Sequence, residues 1–318
     1  MSTTLHTHGD KLTCFTAALA GALVARGETS WWRPLLAGGP FLAVTPADTL
    51  LRFDHHPAPP LPALGLRVTG ADDWDTAYTA IAERIAHDGA AVVLGDVYHL
   101  PWQRGYRRWH APHWLTIVVE TGGWVAADPL AMTTELGPQA GTRMPIPGPN
   151  ELREWAISIG AEDAVPRLRE ESMAGSADIA PGRAYRWLEP DPDPVIAPAS
   201  PERLVGPDAL RALASRYRFA RGAADFEQID DLWQALRQRE LLLWAADRDT
   251  DVLDAAGRAH WEDALERWRA LPPLLLHARL RAQAGGTVNT ATIADTLTAL
   301  AEFEDQHLAF GARRTEER

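Results

Sequence analysis

His113-Trp114-Leu115-Thr116-Ile117-Val118-Val119-Glu120-Thr121-Gly122-Gly123-Trp124-Val125-Ala126-Ala127-Asp128-Pro129 is the stretch whose reading decides the fold. β-Branched and aromatic residues crowd both sides of a Glu-Thr-Gly-Gly break. That is the pattern of a hairpin with strands over Leu115 to Val119 and Trp124 to Ala127. The hairpin opens on an imidazole and ends on a carboxylate. A base at the edge of a strand is held rigidly, and pairing near Ala126 to Asp128 brings Asp128 beside His113. A carboxylate there fixes the imidazole tautomer and stabilises the imidazolium. Asp-Pro is also a common strand-ending turn, and that reading stays open for Asp128-Pro129.

Cys14, the one cysteine of the chain, stands about a hundred residues upstream. It opens the apolar run Cys14-Phe15-Thr16-Ala17-Ala18-Leu19-Ala20, which reads as a helix to Arg26 with Phe15, Leu19 and Leu23 on one face and Gly27 as its cap. The thiolate is the reactive form. A helix N-terminus and a neighbouring imidazolium both pull a thiol below its ordinary pKa of ~8.5. Thiol on a helix start, imidazole on one strand, carboxylate on the next: this is the order of a cysteine nucleophile with its base and orienting acid. A free cysteine is equally often a buried small hydrophobe. His110 is the competing base; it precedes Ala111-Pro112, which places it in a loop at the edge of the cleft. Acyl chemistry also needs an oxyanion hole. The Cys14 backbone N–H is one natural donor, and His8, six residues earlier, is the candidate for a second.

The rest of the chain divides by texture. Asp73 to His87 reads as an amphipathic helix and Ala90 to Tyr98 as a buried strand. Residues 137–150 are rich in Gly and Pro, and Glu151 to Glu171 suits short helices. Pro57 to Pro62 and the run Glu189-Pro190-Asp191-Pro192-Asp193-Pro194 read as connectors, the second being the better linker. From Pro207 helical periodicity dominates, with Trp233, Trp244, Trp261 and Trp268 along it. These tryptophans either fill a core or line a groove. The expected organisation is α+β: a catalytic domain over 1–190 with a Cys-bearing helix and an antiparallel sheet carrying His and Asp, a proline-rich linker over 191–206, and an all-helical domain over 207–318.

The 318 residues are 46% hydrophobic and 23% charged, which are globular values. A net charge of −12 argues against nucleic acid as a partner, since phosphate binding needs a basic surface. No apolar stretch approaches a membrane span, and the start lacks signal-peptide features, so a cytoplasmic location is expected. A lone cysteine suits a reducing compartment. Asp54-His55-His56 lacks the second ligand cluster of a zinc site, and no metal is expected. Arg104, Arg107 and Arg108 form a basic cluster just before the base. It suits either a solvated loop or contact with a phosphate or an acidic carrier protein. There is no G-x-S-x-G, Walker A, G-x-G-x-x-G or H-E-x-x-H motif.

Four features together resemble the butirosin biosynthesis protein H (BtrH) family of acyltransferases. They are Cys14 with its Ala/Leu-rich helix, the segment Leu36-Ala37-Gly38-Gly39-Pro40-Phe41, the stretch Leu94-Gly95-Asp96-Val97-Tyr98-His99-Leu100-Pro101-Trp102, and His113 followed by a hairpin ending at Asp128-Pro129. The resemblance covers the N-terminal two hundred residues, and the helical part is similar to that family's second region. It implies a papain-like fold and Cys-His-Asp chemistry. The implied reaction moves an acyl or aminoacyl group from the phosphopantetheine arm of an acyl or peptidyl carrier protein, through Cys14, onto a small-molecule amine. No bound cofactor is implied. Tyr98 and Trp102, with His110, are expected to shape the cleft. Papain-like enzymes often carry a Gln at the position of His8. Bacteriocin-processing peptidases share a similar Cys, His, Asp-Pro layout. Hydrolysis by the same residues (a thioesterase, peptidase or amidase) is therefore the alternative expectation, and a non-catalytic binding protein a third.

Overall fold

Thr121 and Gly122 form the turn that closes the expected hairpin, with Glu120 opposite Gly123 and Thr116 opposite Ala127. The computed structural model describes residues 8–39, 41–54, 60–134, 137–158, 163–174, 182–196 and 198–316. In chain order the elements are α1 (Cys14–Ala25), α2 (Trp32–Leu36), β1 (Ala43–Ala47), β2 (Leu50–Phe53), β3 (Leu66–Ala71), α3 (Trp74–Asp88), β4 (Ala90–Asp96), β5 (Pro112–Glu120), β6 (Gly123–Asp128), β7 (Met132–Thr134), β8 (Gly137–Gln139) and β9 (Thr142–Pro145). They continue with α4 (Pro149–Trp155), α5 (Ala164–Ala174), β10 (Tyr185–Pro190), β11 (Leu204–Val205), α6 (Pro207–Arg218), α7 (Ile229–Ala246), α8 (Ala255–Arg269), α9 (Leu271–Gln283) and α10 (Thr290–Glu316). The chain is α+β and falls into two compact units, one of residues 1–37 and 58–198, the other of residues 38–57 and 199–318.

The first unit is built on an antiparallel six-stranded sheet in the order β3-β10-β4-β5-β6-β9. Side chains alternate across a strand, so each strand offers one row to each face. Ala91, Val93, Leu115, Ile117 and Ala126 meet Ala77, Ile81 and Ile85 of α3. Asp73 caps that helix by accepting the Thr76 N–H at 2.8 Å, and Gly89 ends it at φ +75°. Each fully buried aliphatic side chain here contributes about 1.5–3 kcal/mol. Ala90, Val118, Val125 and Ala127 form a second buried group, packed against Ala22 and Ala25 of α1. Small residues let α1 lie very close to β5. The Thr116 hydroxyl donates to the Ala18 carbonyl at 2.8 Å, and a Cβ on Gly21 would fall 2.8 Å from the same hydroxyl.

Three strands sit where the sequence reads as irregular. β8 and β9 lie inside the Gly- and Pro-rich 137–150 stretch; β8 pairs with β7, and β9 with β6, Val125 opposite Pro145. β10 runs up to Pro190, into the start of the run read as a linker, and lies between β3 and β4. Conversely β4 stops at Asp96, two residues before Tyr98. There the Asp96 side chain accepts the Tyr98 N–H at 3.0 Å and turns the chain into a 3-10 helix over Val97–His99.

Helices α6 to α10 make up most of the second unit. Its core gathers Leu213, Leu232, Leu271, Ile293 and Leu297 with Trp268. Trp261 and Trp268 are fully buried, so they fill the interior and line no groove. Its periodicity leads one to expect an all-helical unit, but the unit also holds strands: β1, β2 and β11 form a small antiparallel sheet in the order β11-β1-β2. It is also not continuous in sequence. Pairing of β1 with β11 draws residues 38–57 into it, so the chain passes between the units near residue 198, inside the expected 191–206 linker, and also near residues 37 and 57. No helix among the described residues is long and apolar enough to cross a membrane.

Candidate active site

Cys14 is the first residue of α1. Thr13 and Thr16 lock the turn around it: the Thr13 hydroxyl accepts the Thr16 N–H at 3.2 Å, and the Thr16 hydroxyl accepts the Thr13 N–H at 3.0 Å. This reciprocal cap satisfies two of the open N–H groups at the helix start and leaves the thiol in the positive end of the helix dipole. The segment before it is seated just as firmly. A Cβ on Gly9 would fall 1.5 Å from the Pro129 carbonyl oxygen, and the Ala131 N–H donates to the Gly9 carbonyl at 3.2 Å. Only glycine permits that approach, which ties the approach to Cys14 to the residues just after Asp128.

His113, on β5, is buried, and its Nε2 lies 2.8 Å from Oδ2 of the equally buried Asp128 at the end of β6. With Nε2 so engaged, Nδ1 is the nitrogen left for the Cys14 sulfur. Burial alone disfavours the imidazolium. The Asp128 charge and hydrogen bond, with the Cys14 sulfur, outweigh it and raise His113 to about 10. Burial likewise pushes the Cys14 thiol up, but the His113 hydrogen bond and charge and the Trp114 backbone N–H bring it below its ordinary value. Asp128 follows the same logic. Burial raises it, and His113, Trp102 and the Leu130 N–H hold it lower than a free carboxylate. Cys14 and His113, and His113 and Asp128, thus each favour the charged form of the other in a poorly solvated place, where such interactions are strong.

Asp128 has more partners than the sequence suggests. Trp102, expected in the cleft wall, donates its indole N–H to Oδ2 at 2.8 Å and packs edge-on against Trp155. Its place is behind the carboxylate. Gln103, not singled out in the sequence, donates to the same oxygen at 2.6 Å and lies 3.0 Å from His113 Nε2. A lone Gln in a polar loop carries no periodic or motif signal, and only folding of the 97–111 loop brings it here.

The other expected residues fall elsewhere. His110 does not join Cys14: its Nδ1 lies 2.5 Å from Oδ2 of Asp96, and its ring stacks on Tyr98 at 4.4 Å. His8 heads the 3-10 turn Gly9–Lys11 and lines a hollow with Asp10, Pro129, Gly141 and Arg143. Arg104 donates to the Pro138 carbonyl at 2.9 Å, and Arg107 pairs with Glu154 while lying over the Tyr98 and Tyr106 rings. Of the basic cluster these two support the protein's own loop, and Arg108 is exposed. Among the described residues no three His, Cys, Asp or Glu side chains are grouped to hold a metal ion. His55 and His56 of the Asp54-His55-His56 run lie outside the described residues. No protein-family model matches the chain, and no curated protein matches it at a significant level.

Proposed function

We propose that the first unit is a papain-like domain and that the protein is a cysteine-dependent acyltransferase, of the kind its sequence resemblance to the BtrH family implies. The observation that carries this reading is the set Cys14, His113 and Asp128: a thiol at a helix start, lowered by a buried imidazole that is itself 2.8 Å from a buried carboxylate. A sulfur held as thiolate beside an imidazolium is suited to attack a thioester carbonyl, and the imidazolium to protonate the departing thiol. The Cys14 backbone N–H at the helix start would face the oxyanion. An amine then opens the acyl-enzyme and forms an amide. A carrier protein's phosphopantetheine thioester is the proposed donor, in line with the resemblance.

Intact-mass measurement after incubation with an acyl N-acetylcysteamine thioester tests this. The expected result is one acyl adduct, absent in Cys14→Ala, that is discharged faster by an added amine than by water. Discharge by water alone, at a rate no amine improves, identifies a hydrolase. No adduct on wild-type protein, with equal turnover by Cys14→Ala, overturns the reading.

A further inference from the structure

Helix α1 leaves a hollow on its way across the sheet. A cavity of about 140 Å³ is walled by Leu19 and Leu23 of α1, Leu35 of α2, Leu64, Val92 of β4 and Leu188 of β10. All of its walls belong to the first unit. Protein interiors pack as closely as organic crystals and keep few voids larger than a water molecule. A hollow of this size is therefore a feature that asks for an occupant. Its lining is leucine, valine, alanine and proline, except for Arg26, Arg84 and Glu189. Buried water needs roughly two to four polar partners, whereas an apolar cavity of about 150 Å³ stays dry and takes a molecule the size of benzene. The volume here suits an apolar body of about six carbons.

The charged side chains decide what the other end of such a molecule carries. Arg26 caps the C-terminus of α1, and Arg84 lies near the C-terminus of α3. Both aim at one carboxylate: Arg26 Nη2 and Arg84 Nε each lie 2.7 Å from Oδ2 of Asp88. His87 Nδ1 takes Oδ1 of Asp88 at 2.8 Å. Glu189 is engaged by Arg67, whose Nε donates to Oε1 at 2.7 Å. A guanidinium has five N–H donors. Among the described residues these two guanidiniums share a single oxygen of a single carboxylate, so most of their donors are left over. Their planar forks match a second carboxylate, which they can grip with two parallel hydrogen bonds. Arg26 keeps 38% of its side chain exposed, which puts this rim at the surface.

We propose that the cavity under α1 binds a small aliphatic carboxylate, its tail of about five carbons among the leucines and its head at Arg26 and Arg84. The site is distinct from the thiol. Cys14 opens α1 and Arg26 follows its last residue, and twelve residues of helix set the two about 18 Å apart. The inference stands on the cavity and its rim, and it does not depend on the acyl-transfer reading.

Hexanoate, 1-hexanol and hexylamine share one tail and differ in the head, which is anionic, neutral and cationic at pH 7. In calorimetric titrations of the whole protein, hexanoate is expected to saturate one site and to bind at least about tenfold more tightly than the other two, as charge-assisted hydrogen bonds imply. Arg84→Met keeps an unbranched side chain and removes the guanidinium. It should weaken hexanoate to the level of hexanol and leave hexanol unchanged. Ala22→Leu and Leu23→Trp each put bulk into the cavity and should abolish binding of all three. Two filling variants guard against loss of the fold in one, which circular dichroism checks. No binding of hexanoate to wild-type protein at millimolar concentration overturns the proposal. So do equal affinities for the three heads, which leave an apolar void that recognises no acid, and undiminished hexanoate binding in a folded filling variant, which puts the ligand elsewhere.

Discussion

Oδ2 of Asp128 is the meeting point of three side-chain donors, with His113 Nε2 at 2.8 Å, Trp102 Nε1 at 2.8 Å and Gln103 Nε2 at 2.6 Å. One oxygen so surrounded cannot rotate away from His113, and it stays ionised in a buried place. Hydrogen bonds to a charged group contribute about 1.5–3 kcal/mol each. Trp102→Phe keeps the ring against Trp155 and removes only the N–H. It should lower stability by an amount in that range and raise the pH at which Cys14 becomes a thiolate. Denaturant melts and a thiol titration on the same variant check both halves. A stability loss with an unmoved thiol would confine Trp102 to packing.

The Cys14–His113 pair predicts a pH window for Cys14 reactivity. The thiol is held below its ordinary value of 9.0, so the thiolate persists as pH falls beneath that and is lost only through the lower folded pKa. His113 is raised, so its contribution is complete below 6.5 and fades as pH rises through about 10. The thiolate–imidazolium pair therefore exists from the lowered thiol pKa up to about 10, and its stabilising effect is lost on both sides. Iodoacetamide at pH 7 should alkylate Cys14 faster than glutathione, since a lowered thiol pKa raises the thiolate fraction at that pH. His113→Ala should move the profile back up. A wild-type profile centred at the ordinary thiol value would count against the pair.

Gly9 predicts a positioning effect. With the Pro129 carbonyl oxygen 1.5 Å from where its Cβ would be, Gly9→Ala must push the residues before Cys14 away from the end of β6. Overpacking of this kind costs about 1–3 kcal/mol and occasionally more. Cys14 alkylation at pH 7 should fall as well, because the thiol moves relative to His113. Gly222→Ala is the matched control, since nothing lies within 4 Å of its Cβ position. Equal melts for the two variants would remove Gly9 from the argument.

How far the sequence carried these conclusions depended on whether local pattern or long-range pairing made the element. The β5–β6 hairpin was legible because its alternation and its Gly-containing turn are local. Helix α1 was legible because its caps are its own neighbours. Cys14, His113 and Asp128 followed from their positions at the ends of those elements. β9 and β10 were hidden, because Pro145 and Pro190 read as breakers; each stands at the last position of its strand. β1 contains Pro46, yet β11 pairs only with Ala43 and Val44, so the missing N–H costs nothing on that edge. Gln103 and the Asp96–His110 pair had no signal either, because loop closure rather than spacing makes them.

A last prediction concerns the helical unit. Arg239 and Glu304 are both fully buried and paired at 2.8 Å, with Trp268 donating to the same Glu304 oxygen at 3.0 Å and lying 3.9 Å beneath the guanidinium. Arg239 Nε and Glu304 Oε2 have no partner among the described residues. Two desolvated charges with unmet hydrogen-bonding capacity give little net stability, while removing one strands the other. Arg239→Met should therefore cost about 3–5 kcal/mol. Glu304→Leu added to it should recover most of that loss, because the remaining site is then apolar and of similar volume. Chemical denaturation of the two singles and the double completes the cycle. A double variant no more stable than Arg239→Met alone would mean that the pair is worth more than its desolvation costs, and that α7 and α10 depend on the ion pair itself rather than on the leucines and tryptophans around it.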